Sequence, residues 1–203
     1  MRIHCLFEQS GTFKNVFRSH GIESYDYDIL DDYGQTDFRI DLFKAIEDAF
    51  DGKPSIFDSF HGGDIIFAFF PCIRFSKWML MHMNGTSHNT EKYTPEGKVR
   101  YFMRLERERS DFTQIFCKMV LLAMQRGYGL IVENPDDPNH YLIKYFPILP
   151  KIRIDDRTRY GDRFRKPTAF WFINIEPKNN FVFACNSSDI SVVDDCKTRR
   201  RNP

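Results

Sequence analysis

The chain has no Cys-x-x-Cys pair, and its 5 cysteines are odd in number and widely scattered. A disulfide scaffold or a four-ligand zinc site is thereby disfavoured, and a reducing cytoplasm is the expected location. The 6 histidines show no ligand spacing, so no metal is expected. Long apolar runs are missing as well. The longest, Asp64 to Cys72, falls far short of the roughly 20 residues that span a bilayer, so no membrane partner is expected. Met1-Arg2-Ile3-His4-Cys5 lacks the apolar stretch and small-residue cleavage site of a secretory signal. Internal repeats and low-complexity tracts are absent. So is the glycine-rich fingerprint that a nicotinamide-dependent oxidoreductase on a Rossmann sheet would need.

What is present is a core. Hydrophobic residues make up 42% of 203 positions and Phe alone contributes 21, which excludes a disordered chain and fits one domain with an appendage. The formal net charge of +1 hides an asymmetry: residues 1–64 carry −7 and residues 65–203 carry +8. The excess positive charge falls mostly in Lys98–Arg109 and Lys151–Lys166. Such regional basicity suits a polyanion such as nucleic acid. Charge alone, however, favours a solvated face ion-paired to the acidic half.

Strand and helix patterns alternate. Ile3–Phe7, Glu23–Ile29 and Asp64–Phe70 read as strands, the last buried on both faces. Phe13, Val16, Phe17 and His20 share one helical face, with Gly21 as a stop. Leu42, Phe43, Ile46 and Phe50 form a second stripe, ended by Gly52 and Pro54. Ser110 caps a helix through Phe112, Ile115, Phe116, Met119, Leu122 and Ala123. Gly129–Val132, Lys151–Ile154, Thr168–Ile173 and Phe181–Ala184 complete the strands, the last two as a hairpin. Lys77–Arg109, polar and without strand signals, is expected to be a functional loop or lid. The pattern predicts an α/β fold with a mostly parallel sheet over residues 1–185, followed by a tail at 186–203.

Ligands of such sheets sit outside the carboxyl ends of the strands. Phe7-Glu8-Gln9-Ser10-Gly11 is a small turn that leads into a helix and lets a cofactor approach the backbone. Asp28 stands at the second strand's tip, where a carboxylate can hold ribose hydroxyls, while Asp26 is expected to point to solvent. Pro71-Cys72-Ile73-Arg74 places a thiol beside a cation, suiting a nucleophile, although a lone Cys is more often a small buried hydrophobe. Glu133 ends an apolar strand, where an unpaired carboxylate would be driven toward its protonated form and proton exchange.

In this order the motifs resemble those of the DNA (cytosine-5) methyltransferase family, in the small form that phages and prophages encode. Phe7 and Gly11 match its Phe-x-Gly-x-Gly turn, Asp28 its ribose carboxylate, and Pro71, Cys72, Phe75 and Ser76 its nucleophile segment. Glu133-Asn134-Pro135 matches its Glu-Asn-Val segment, and Arg163 and Arg165 its late arginine pair. Gln9 replaces a glycine, Cys5 an acid, Ile73 a glutamine, and Gly161 another glutamine. Too few residues follow the arginines for a separate target-recognition domain. The resemblance implies a Rossmann-like fold binding S-adenosylmethionine through Phe7, Gln9, Gly11, Asp28 and Phe70. It implies Cys72 as nucleophile presented by Pro71, Glu133 as proton donor to N3, and Arg163 or Arg165 at O2. The implied substrate is DNA, single-stranded or presented by a protein partner that supplies recognition. The departures support a second reading, a weak or inactive relative that binds nucleic acid or protein.

Overall fold

A computed structural model describes residues 1–162 and 164–178 and the backbone of 191–192. The strands are β1 (Ile3–Leu6), β2 (Ser24–Asp28), β3 (Phe38–Arg39), β4 (Ile65–Ala68), β5 (Gly129–Pro135), β6 (Ile152–Ile154), β7 (Phe164–Arg165), β8 (Thr168–Ile173) and β9 (Ser191–Val192). The helices are α1 (Thr12–Ser19), α2 (Leu42–Phe50), α3 (Trp78–Met83), α4 (Pro95–Arg126) and α5 (Tyr141–Tyr145).

Seven strands form one sheet in the order β3-β2-β1-β4-β5-β8-β6. The pairs from β3 to β5 are parallel; β8 runs antiparallel to both β5 and β6. The expected mixed α/β sheet, mostly parallel, is therefore present and compatible with a Rossmann-like fold. A dinucleotide-binding sheet instead continues in the order 3-2-1-4-5-6. The expected partner of β8, Phe181–Ala184, lies outside the described residues. So does the 186–203 tail, apart from β9, whose backbone pairs in parallel with β7.

Alternation along β4 divides the sheet into two faces. Leu6, Ile66, Ala68, Phe70, Leu130, Val132, Ala169 and Trp171 point into the main core with α2, α4 and α5. On the opposite face Phe67 and Phe69 meet only α1 among the described helices, through Phe13 and Phe17. That thin cover explains a misfit with the helical stripe. Phe13 is 37% and Val16 55% exposed, while Lys14 is 2% exposed.

The expected loop at 77–109 is a correction. α3 and the first half of α4 occupy much of it, and Ser110 lies mid-helix. Thr94 caps α4 by accepting from the Gly97 N–H, and Pro95 sits in its first turn, where a missing N–H costs nothing. Glu96–Arg100 and Arg104–Glu108 pairs at i,i+4 then sustain a helix too charged to show an apolar period.

Candidate functional site

The order reverses between β1 and β4, so the crevice that open α/β sheets use for ligands lies beyond their carboxyl ends. β1 runs out at Phe7, a non-glycine at φ 60°. That turn breaks the alternation and drives the Phe7 ring into the core, edge-on to Phe70 at 5.2 Å and Phe43 at 6.0 Å. Phe70 is itself 2% exposed within the core. Gly11 caps α1 at φ 70°, and a Cβ there would come 3.0 Å from Asn15 Nδ2 and 3.2 Å from Gln35 Cβ. Glycine at this position is demanded by both conformation and space.

The segment 29–37 leans onto this turn. The Asp32 N–H donates to Gln9 Oε1 at 2.9 Å, and Lys14 Nζ donates to the Gln35 carbonyl. Lys14 also pairs with Asp26 at 2.9 Å and Asp37 at 3.1 Å. Asp26, expected to face solvent, is fully buried in this network. Asp28 is half-buried at the tip of β2 and accepts the Leu30 N–H at 2.8 Å. Glu8, which the sequence reading passed over, is 9% exposed; its Oε1 accepts the Ser10 N–H at 2.7 Å and hydroxyl at 2.5 Å. Its Oε2 finds no partner among the described residues. Burial, then the nearby charges of Glu8 and Asp26, push the Cys5 thiol up to about 12, which suits an inert core thiol.

Beyond β4, Cys72 is half-buried and its carbonyl accepts the Phe75 and Ser76 N–H groups at 2.9 and 3.0 Å, making a tight turn after Pro71. The turn is tied down twice. Tyr141 N–H of α5 donates to the Phe75 carbonyl at 2.8 Å, and Arg74 pairs with Glu108 of α4 at 2.5 Å. Buried Asn134 donates to the Phe70 carbonyl at 2.9 Å, sewing the end of β5 to the residue before Pro71. Glu133 follows Val132, which is in register with Ala68 on β4. Its carboxylate is not the unpaired group expected. Lys166 stands 3.1 Å and Arg157 3.8 Å from Oε1.

No family model matches the chain, and no curated protein does either.

The structure thus brings Pro71, Cys72 and Glu133 to the ends of adjacent strands, and Gln9, Gly11 and Asp28 to the ends of their neighbours. Arg165 is engaged elsewhere, 3.5 Å from Asp156, and Arg163 lies outside the described residues. The cations at Glu133 are Lys166 and Arg157, to which the sequence reading gave no role at this carboxylate. Their signal was the position of Lys166, two residues before the strand that pairs with β5. His140 was missed as well. It is fully buried beside Phe75, its ring nitrogens have no partner among the described residues, and burial lowers its pKa to about 4. No helix of the described residues is long and apolar enough to cross a membrane.

Proposed function

We propose that the chain is an S-adenosylmethionine-dependent cytosine-C5 methyltransferase of Rossmann-like fold acting on DNA. The observation that carries this reading is the Asn134–Phe70 hydrogen bond, which locks the Pro71-Cys72 turn beside Glu133 at adjacent strand ends. The residues present fit the methyl donor. Asp28 offers a carboxylate to ribose hydroxyls, and Glu8 retains a buried acceptor oxygen without a partner among the described residues. When bound, S-adenosylmethionine supplies an electrophilic methyl group.

The chain's own residues act on the base. Cytosine C5 is a poor nucleophile until a thiolate adds at C6, so Cys72 attacks C6 and its electron pair passes through the ring toward N3. Glu133, which takes up a proton when the entering base displaces Lys166 from it, donates that proton to N3, and Lys166 or Arg157 then faces the charge that builds at O2. After methylation, loss of the C5 proton to solvent expels the Cys72 thiolate, and return of the N3 proton to Glu133 restores the ring. A base held in a duplex must first leave the stack. The test is trapping with an oligonucleotide carrying 5-fluorocytosine in the presence of S-adenosylmethionine. The expected result is a covalent adduct that Cys72→Ser abolishes; wild type without adduct rejects the reading.

One observation favours the alternative of a weak or inactive relative that binds nucleic acid or a protein partner. The Gln9–Asp32 bond holds the 29–37 segment against the cofactor turn. Calorimetric titration with S-adenosylhomocysteine separates the two, because only the methyltransferase reading requires binding.

A further inference from the structure

Glu8 stands between β1 and the start of α1, the place where a dinucleotide fold seats its pyrophosphate against a helix N-terminus. Its Oε1 is committed to Ser10, while Oε2 is buried with no partner among the described residues. Both cations of α1 are already engaged. Lys14 is held by Asp26, Asp37 and the Gln35 carbonyl, and Arg18 by Asp37 and the Ser24 carbonyl. The neighbouring strand adds Asp28, and the segment held by Gln9 adds Asp31 and Asp32. A buried carboxylate oxygen with no partner is costly, and a cation or strong donor brought to it recovers that cost. A phosphate placed there meets like charge instead.

We infer that Glu8 is a specificity-determining residue, selecting an adenosyl ligand that carries a positively charged group and rejecting nucleotides that carry phosphate. This rests on the methyl-donor reading above and assigns the ligand's cationic end to one side chain. Two positive groups qualify: the sulfonium, present in S-adenosylmethionine alone, and the ammonium, shared with S-adenosylhomocysteine.

The test is calorimetric titration of wild type, Glu8→Gln and Glu8→Asp with both compounds and with ATP and NAD. Wild type should bind the adenosyl amino acids at least 100-fold more tightly than ATP or NAD, on the order of ~3 kcal/mol. Glu8→Gln keeps the size of the side chain and an oxygen for Ser10, and should weaken S-adenosylmethionine binding about tenfold or more. Glu8→Asp, which keeps the charge, should lose less. An equal loss for both compounds places the ammonium at Glu8; a loss for S-adenosylmethionine alone places the sulfonium there. Wild-type binding that Glu8→Gln leaves unchanged overturns this inference and spares the methyl-donor reading. A wild type that prefers ATP or NAD overturns the inference without any variant, and one that binds neither adenosyl compound overturns both.

Discussion

His4 is 1% exposed, stacked on the Phe60 ring at 3.8 Å, with Nδ1 2.9 Å from the Tyr27 hydroxyl. Burial lowers its pKa to about 4, against the opposing pull of Asp64, and burial does the same to His140. Both folded values lie below the ordinary histidine value, so the unfolded chain binds protons first as pH falls. The stability each neutral ring contributes is present above pH ~6.5 and is lost between there and about pH 4, at most about 3 kcal/mol per residue. Urea midpoints should therefore drop from pH 7 to pH 4.5, and His140→Leu should flatten part of that slope; a flat wild-type profile contradicts the assignment. Asp64 adds a later step. Its burial acts upward, but hydrogen bonds from Arg2, His61 and His4 hold it well below the usual carboxylate range. Lys14 poses a different question, because removing one member of a buried ion pair strands the other. Lys14→Met should cost about 3–5 kcal/mol in urea unfolding, far more than an exposed lysine on the same helix would. The candidate residues at strand tips were legible because a strand's end is a local event: an apolar run stops and a chemical group follows. Asp26 was not legible. Its partner is twelve positions away on a helix whose apolar stripe pointed elsewhere.

At the level of elements, α4 divides into two unlike halves. Ile115, Phe116, Met119, Val120, Leu122 and Ala123 are buried in its second half, and that periodicity was readable in advance. The first half buries Leu105 but exposes Val99 at 59% and Met103 at 60%. It is held by its cap, its i,i+4 pairs and the Arg74–Glu108 bridge rather than by an apolar face. A helix supported this way shows no hydrophobic period, which is why 77–109 resembled a loop. Thr94→Ala removes the cap and should cost about 1 kcal/mol of local stability. Hydrogen exchange should then speed up across 95–104 and stay unchanged across 115–126. Uniform acceleration would mean that the two halves open as one unit. α1 failed in the opposite way. Its stripe was real, but α1, the helix that meets this face among the described residues, rests Phe13 and Phe17 on the sheet and leaves Val16 outside.

Across the whole molecule, the cations of the basic clusters pair within their own half, so the opposite net charges of residues 1–64 and 65–203 remain. In 151–166, Lys151 meets Glu176, Arg153 meets Asp136, Arg157 meets Asp162, Arg165 meets Asp156 and Lys166 meets Glu133. On α4, Arg100, Arg104 and Arg109 meet Glu96, Glu108 and Glu106. The partners of Lys151, Arg153 and Lys166 were not readable from the charge count, because they are set by the sheet's return through β6 and β8. Exposed pairs such as Arg100–Glu96 contribute about 0–1 kcal/mol, so a phosphate can displace the carboxylate there at little cost. The two uses of the basic half then differ in salt response. If these side chains meet a nucleic acid, about four phosphate contacts on a single strand should lower affinity roughly 50-fold between 50 and 200 mM salt. Arg157→Ala and Lys166→Ala should flatten that slope by about one contact each. They should also remove the cations at Glu133, so turnover should fall with affinity. A slope near zero in wild type would leave the cations to their carboxylates and turn the search toward a protein partner.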